Sequence, residues 1–205
     1  MDYSTFIFHG FPKWENVATA KIEHWHWEGD EPFRPPSFAQ RCGVYDKGLF
    51  ARLWSFEENP RCVCTKRDEP VYTDSCLELF LQPVPGHDAY VNFEMNCKGI
   101  YLSQFGEKRE NRIFIKDICK LEPEITPFEV IANDKKAWGI TIFLSDALIS
   151  GIYVNDYKTK AGIIRGNFYK CGDKTPHAHY GAFFPVSSAK FGFHNPAKFG
   201  NIILE

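Results

Sequence analysis

The chain has 205 residues, a length that one large β domain commonly reaches, and we predict a single domain over residues 1–205. Apolar residues make up 44% of the chain and phenylalanine occurs 19 times, so a sizeable core can form without disulfides or metals, and global disorder is excluded. The formal net charge is only −2, and Lys and Arg are interspersed with Asp and Glu. This distribution argues against nucleic acid and against an anionic membrane surface as partners.

The first ten residues carry neither a basic leader nor an apolar stretch long enough for a signal peptide. No later run approaches the roughly 20 apolar residues that span a bilayer. We therefore expect a cytoplasmic protein, or an extracellular one if a leader has been removed. The seven cysteines are an odd number and most lie inside apolar runs, which predicts reduced thiols rather than a disulfide framework.

Short runs rich in β-branched and aromatic residues, each bounded by Gly, Pro, Asn or Asp, predict strands along most of the chain. They lie at 48–56, 76–82, 90–97, 111–116, 128–132, 138–144, 163–169 and 201–204. Before residue 40, aromatic residues at 24–27 and 33 indicate an extended segment packed on the strands. Regularly spaced short strands without long helical patterns predict an all-β fold, an antiparallel, jelly-roll-like β-sandwich with one or two short helices.

Two turns and one helix are predicted between these strands. The polar segment 132–137 separates two apolar runs and predicts a β-hairpin, and a turn at Lys98 and Gly99 should fold 90–97 against 100–104. A short helix is predicted at 145–149, where Ser145 or Asp146 can cap the first turn and Gly151 can end the helix.

Alternation of side chains places polar groups together on one face of three predicted strands. In strand 76–82 three leucines occupy one face, while Glu78 shares the other with Cys76 and Phe80. The polar side chains expected on this second face are Glu78, Asn92, Glu94, Asn96, Arg165, Asn167 and Tyr169. If the three strands are neighbours, these side chains form one patch.

Carboxylates, amides, a guanidinium and a phenol are the groups with which proteins bind sugars. A pyranose hydroxyl both donates and accepts, so Glu accepts from it, Arg donates to it and Asn does both. Aromatic rings cover the apolar C–H faces of a sugar, and Tyr72, Tyr180, Phe183 and Phe184 lie in loops near these strands. The alternative is that the polar face is solvated or forms an internal network around Arg165.

Five segments, in order and spread over nearly the whole chain, resemble the family 9 carbohydrate-binding modules. They are ENPR at 58–61, VYTDSCLELFL at 71–81, YVNFEMN at 90–96, GNFYKCGD at 166–173 and FHNPAKFGNII at 193–203. Modules of this family attached to xylanases have a β-sandwich fold, bind the reducing ends of sugar chains between two aromatic side chains, and contain structural calcium. The resemblance therefore implies non-catalytic binding of a mono- or oligosaccharide, with xylan and glucan as candidate sources.

The resemblance assigns roles to particular residues. Glu78 is similar to the sugar-binding carboxylate that closes the family's Asp-x-x-x-Glu motif, and Tyr72 lies where those modules carry one stacking Trp. The second stacking residue belongs to the C-terminal region, where this chain offers Tyr180, Phe183 or Phe184. Arg165 and Asn167 resemble polar positions of the strand before that region. The resemblance leaves calcium possible, but no carboxylate cluster aligns with the calcium ligands, so we place no ion and predict no cofactor.

Two other kinds of site remain open at this stage. A glycoside hydrolase needs two carboxylates about 5 to 10 Å apart, which Glu78 and Glu94 on neighbouring strands could provide. His177 and His179, with Cys171 and His194 nearby in sequence, offer metal ligands, although structural hydrogen bonding is the commoner role for such residues. A third possibility is a sandwich that has kept the fold and lost its ligand.

Overall fold

The computed structural model describes residues 2–26, 32–186 and 192–205. Within these ranges the strands are β1 Asp2–Thr5, β2 Ile7–Phe8, β3 Ala20–Ile22, β4 His24–His26, β5 Ser37–Val44, β6 Gly48–Ser55, β7 Cys76–Gln82, β8 Tyr90–Asn96, β9 Tyr101–Gly106, β10 Ile113–Phe114, β11 Glu124–Ala132, β12 Lys135–Ser145, β13 Gly162–Cys171, β14 Tyr180–Ala182 and β15 Gly200–Leu204. The helices are α1 Ile115–Ile118 and α2 Asp146–Tyr153, with 3-10 turns at Trp14–Asn16, Val71–Thr73 and Pro196–Lys198. The expected all-β class is confirmed.

The strands form two sheets. The first has the order β1-β15-β13-β7-β8-β9-β10, with β14 beside β13 and β4 beside β14. The second has the order β11-β12-β6-β5-β2, with β3 also paired to β5. The pairs are antiparallel except β1 with β15 and β2 with β5, which are parallel. The three strands with the predicted polar face, β13, β7 and β8, are therefore neighbours.

The core lies between the two sheets. Leu77, Leu79 and Leu81 of β7 and Phe93 of β8 pack there with Leu53 of the second sheet and other buried apolar side chains. Because successive side chains of a strand point to opposite faces, this arrangement turns Glu78 and Glu94 away from the core. The predicted division of these strands into two faces is confirmed.

The outer face of the first sheet is covered rather than solvated. A second apolar cluster lies on it, in which Phe80, Tyr90 and Tyr169 of the sheet pack with Phe193 and Phe199 of the C-terminal loop. The polar side chains Asn92, Asn96 and Asn167, on the same face, are fully buried. The alternative of a solvent-exposed polar face is thus wrong for these residues, because loops fold over the sheet.

Several predicted elements differ in extent from the observed ones, and two of them involve the helices. The segment 111–116 was expected to be a strand, but it contains only the two-residue β10 and then enters α1. The helix after β12 starts as expected, with the Ser145 side chain accepting from Leu148 N, but it continues past Gly151 to Tyr153, after which Val154 adopts a left-handed conformation. Gly151 allows α2 to lie close to the end of α1, because a Cβ at this position would be only 2.8 Å from Cys119 Sγ.

Both predicted turns are present. Asn133 and Asp134 have φ of 50° and 59°, the left-handed pair that a two-residue hairpin between β11 and β12 requires. Gly99, with φ of 77°, turns the chain between β8 and β9. The early aromatic segment forms β4, and Trp27 lies outside the described residues. Among the described residues no helix has the length and apolar character needed to cross a membrane.

Candidate functional site

A pocket of about 610 Å³ opens on the outer face of the first sheet. Its base is formed by Glu78 of β7 and Glu94 of β8, which are directly opposite one another in the antiparallel register. The side chains around them belong to neighbouring strands and to loops that fold over the sheet. The pocket is lined by Tyr72, Glu78, Glu94, Leu102, Gln104, Arg109, Cys171, Asp173, Tyr180, Gly192, Phe193 and His194.

Both carboxyl groups at the base are buried and only partly satisfied. Glu78 is 2% exposed and Glu94 is 3% exposed. The Cys171 thiol donates to Glu78 Oε1 at 2.8 Å, and the Asn92 amide donates to Glu94 Oε1 at 2.9 Å. The Oε2 atom of each glutamate has no hydrogen-bond partner. Since buried polar atoms are nearly always paired, these two oxygens are the groups through which the pocket can bind a polar ligand.

Burial changes the protonation of both groups. It raises the pKa of Glu78 well above its ordinary value, and Cys171 and Glu94 add to this effect. Burial also raises the pKa of Glu94 to about 7, although the Asn92 hydrogen bond and the Arg112 charge lower it. A protonated carboxyl both donates and accepts, so at neutral pH the base of the pocket can offer hydrogen bonds of both kinds.

Two tyrosines flank the carboxyl groups. Tyr72 lies on the 3-10 turn Val71–Thr73 and is 40% exposed, and Tyr180, the first residue of β14, also lines the pocket. The turn is fixed to the loop after β13, because Asp173 N donates to Tyr72 O at 3.1 Å. An aromatic wall is thereby held beside the buried carboxyl groups.

Phe193 and His194 contribute from the C-terminal loop. Phe193 stacks on Tyr169 with a ring-centroid distance of 4.0 Å and an interplanar angle of 12°. His194 Nδ1 lies 2.9 Å from the Tyr90 hydroxyl. Burial, followed by the positive charges of Arg112 and Arg109, lowers the pKa of His194 to about 3, so His194 is neutral at physiological pH. Although its Nε2 lies 4.0 Å from Glu94 Oε1, a neutral imidazole at that distance forms no ion pair.

Of the ten residues predicted to bind sugar, Glu78, Glu94, Tyr72 and Tyr180 line the pocket. Two others lie beneath it and hold its parts in place. Asn92 donates to Glu94 and accepts from Arg112 at 2.7 Å, whereas Tyr169 supports Phe193 and donates to its carbonyl oxygen at 3.2 Å.

The remaining four predicted residues do not line the pocket, because other parts of the fold use their side chains. Asn96 donates to Cys64 O and Asp74 Oδ2, and Arg165 donates to Pro196 O and Phe199 O. The Asn167 amide exchanges two hydrogen bonds with the backbone of Phe184, each of 2.9 Å. Phe184 itself is 3% exposed and belongs to the core between the sheets.

Several pocket residues were not among those predicted to bind sugar. Cys171 continues the alternation of Arg165, Asn167 and Tyr169 on β13, and Gln104 of β9 is opposite Asn92. Continuing the alternation along β13 to Cys171, and adding β9 as the strand beside β8, would have found both. Arg109 lies in a charged loop after β9, where no periodic pattern distinguishes one charge from the next.

A larger cavity of about 920 Å³ lies on the second sheet, between Phe38, Phe128 and Trp138. Its buried carboxylate, Glu57, already accepts from Ser75 Oγ at 2.8 Å, from Trp138 Nε1 at 3.3 Å and from Lys170 Nζ at 3.1 Å. Because each oxygen of Glu57 already has a partner, this cavity offers less to a polar ligand than the pocket at Glu78 and Glu94.

The described residues do not form the histidine-rich metal site considered above. His179 is fully buried and its Nε2 lies 2.6 Å from Lys170 Nζ, so that nitrogen is already engaged. Calcium takes six to eight oxygen ligands. Among the described residues, one group of three potential metal ligands lies close together, and it consists of Cys76, Glu78 and Cys171. Its two thiols do not suit calcium.

The fold is a two-sheet β-sandwich, and carboxyl and aromatic groups line a pocket on one of its sheets. The model of carbohydrate-binding family 9 matches residues 11–204, and the chain belongs to this family. The resemblance deduced from the sequence is confirmed. No curated protein has significant sequence similarity to the chain.

Solved structures share the fold. A candidate carbohydrate-binding protein from Bacteroides uniformis is 22% identical with a TM-score of 0.79, over 100% of this chain and 99% of that one. The family 9 module from Caldicellulosiruptor kristjanssonii in complex with cellotriose is 12% identical with a TM-score of 0.60, over 98% of this chain and 93% of that one. A family 9 module from the same organism in complex with glucose is 12% identical with a TM-score of 0.61, over 98% of this chain and 95% of that one.

Proposed function

We propose that this protein binds a mono- or oligosaccharide without chemical conversion, in the pocket whose base is Glu78 and Glu94. The observation that carries the proposal is the pair of buried carboxyl groups, each with an unpartnered oxygen, beside two tyrosine rings. A sugar ring presents hydroxyls at its edge and C–H groups on its faces. Such a pocket matches it, because the carboxyl groups can bind the edge and an aromatic ring can cover a face.

Gluco-configured sugars are the first ligands to test. Two structures of the family 9 module from Caldicellulosiruptor kristjanssonii contain cellotriose and glucose. The pocket of about 610 Å³ has the size of a small-molecule site rather than of a long flat platform. We therefore propose that the end of a chain, or a free monosaccharide, occupies it, with xylan fragments as the second class of ligand.

Isothermal titration calorimetry with glucose, cellotriose and xylotriose tests this function. We expect binding by the unchanged protein and at least a tenfold loss in Glu78→Ala, which removes both the donor and the acceptor at the base of the pocket; tenfold corresponds to about 1.4 kcal/mol. Glu129→Ala is the matched control, since Glu129 lies on the second sheet in an exposed pair with Lys136. Absence of binding for all three sugars, or equal affinity in Glu78→Ala, would contradict the proposal.

Hydrolysis is the other function that two carboxyl groups could support. In a glycosidase the two groups lie on either side of the scissile bond. Glu78 and Glu94 instead lie side by side on adjacent strands of one sheet surface. We accordingly expect no reducing sugar to be released when cellotriose is incubated with the protein; release that disappears in Glu94→Gln would favour an enzyme.

A further inference from the structure

Two thiols adjoin the carboxyl group at the base of the pocket. Cys76 of β7 and Cys171 of β13 are directly opposite in the antiparallel register, and Glu78 lies two residues further along β7 on the same face. All three side chains are buried, with exposures of 0%, 2% and 2%. One ligand atom from each lies within 4.8 Å of the others, and no other such group of three occurs among the described residues.

The spacing of these atoms is close to that of a metal's ligand shell. Zinc is bound tetrahedrally with Zn–S distances of about 2.3 Å, which puts two thiolate sulfurs about 3.8 Å apart. Two cysteines and one carboxylate supply three ligands. This leaves the fourth position for water or a small ligand, as in zinc sites that are open to a pocket. Thiolates favour zinc over calcium or magnesium.

A second observation points to a ligand at this place. The Cys171 thiol satisfies Glu78 Oε1, but Glu78 Oε2 is buried and has no partner. Since buried polar atoms are nearly always paired, this oxygen is open to a ligand. Glu78 and Cys171 both line the pocket, so a metal ion can reach them from solvent.

We propose that Cys76, Cys171 and Glu78 bind a thiophilic divalent cation, with Zn²⁺ as the representative ion, at the base of the pocket. Each thiol loses its proton to solvent when its sulfur binds the metal. The site shares Glu78 with the proposed sugar site. A bound metal ion therefore occupies Glu78, which the sugar would otherwise use as an acceptor, and weakens sugar binding. This consequence rests on the proposed function; the metal site itself does not.

The metal site is tested on protein stripped with a chelator. We expect one Zn²⁺ per chain in calorimetry and, with Co²⁺ in its place, the sulfur-to-cobalt charge-transfer absorption that marks thiolate ligation. Cys76→Ser and Cys171→Ser should each weaken zinc binding at least tenfold and remove that absorption. Cys62→Ser is the matched control, because Cys62 and Cys97 form another contacting thiol pair outside the cluster. Glu78→Gln keeps both thiols and should still weaken zinc binding.

Thermal unfolding of each variant shows whether it is folded. If a serine variant is unfolded, zinc binding by Glu78→Gln tests the metal site in its place. Failure to bind zinc, or binding that resists all three substitutions, overturns the metal site. Sugar titrations on stripped and zinc-loaded protein separate the two proposals. Sugar binding without zinc binding overturns only the metal site, and zinc binding without sugar binding overturns only the sugar site. If both occur, we expect sugar affinity to fall at least tenfold on zinc loading in the unchanged protein but not in Cys171→Ser.

Discussion

Lys170 of β13 is a fully buried lysine. Its Nζ lies 3.1 Å from Glu57 Oε2, 2.6 Å from His179 Nε2 and 2.9 Å from the Cys171 carbonyl oxygen. The lysine ammonium has only donors, so His179 must present an unprotonated Nε2 to it. Burial, followed by the charge of Lys170, lowers the pKa of His179 from 6.5 to about 4, while the His177 carbonyl and Glu57 act in the opposite direction.

This lowered pKa predicts an acid-sensitive contribution to stability. Folding keeps His179 neutral, so its contribution is complete above pH 6.5 and is lost as the pH falls toward 4, where the unfolded chain takes up a proton that the folded protein does not. At about 1.4 kcal/mol per pKa unit, the loss is at most about 3 kcal/mol. Urea unfolding between pH 7 and 4 should show a steeper fall for the unchanged protein than for His179→Gln; equal slopes would refute this prediction.

Strand β13 shows how closely the elements around the site pack. It lies between β7 and β15 in the first sheet, and Gly166 is opposite Leu81 of β7. A Cβ at Gly166 would lie 2.5 Å from the backbone oxygen of Phe80 and 2.8 Å from Leu81 Cδ2. A backbone atom cannot move aside as the end of a flexible side chain can, so only glycine fits here.

Gly166→Ala should therefore destabilise the fold by about 1 to 3 kcal/mol, the usual cost of adding a methyl group to a packed interior. Gly10→Ala is the matched control, since a Cβ there would meet nothing within 4 Å. Denaturant unfolding of both variants measures the effect. A loss as small in Gly166→Ala as in Gly10→Ala would mean that β13 can shift away from β7.

At the scale of the molecule, the two sheets are joined by an ion pair as well as by apolar packing. Lys170 belongs to β13 of the first sheet, and Glu57 follows β6 of the second. Removing one partner of a buried pair leaves an uncompensated charge, which typically costs 3 to 5 kcal/mol. Lys136 and Glu129 form a contrasting pair on the surface, where each side chain is 63% exposed.

We expect Lys170→Met to destabilise the protein by about 3 to 5 kcal/mol, because Glu57 would remain buried without its cation. Lys136→Met should change stability by no more than about 1 kcal/mol, the range of exposed ion pairs. Unfolding free energies from denaturant titration compare the two. Nearly equal losses would show that the pair between the sheets contributes no more than a surface pair does.

The sequence was sufficient for most strands after residue 47 and for their faces, because a side-chain period of two is a local property, whereas β1, β2, β3, β5 and β14 were not predicted. It placed β7 at its observed bounds and put Glu78 and Glu94 on the face opposite Leu79 and Phe93. It was less reliable for single residues of the site. Asn167 and Phe184 have the right chemistry, but their side chains are used within the fold, and alternation along one strand carries no information about that.

The sequence by itself thus determined the β-sandwich class, the division of the strands into polar and apolar faces, and the family. The tertiary structure decided that the C-terminal loop covers the polar face and that Glu78 and Glu94 form the base of a pocket. It also decided that two thiols from separate strands lie next to Glu78. The physical reason is that burial and unpaired hydrogen-bonding groups depend on long-range contacts. Cys76 and Cys171 are neighbours only because β7 and β13 pair.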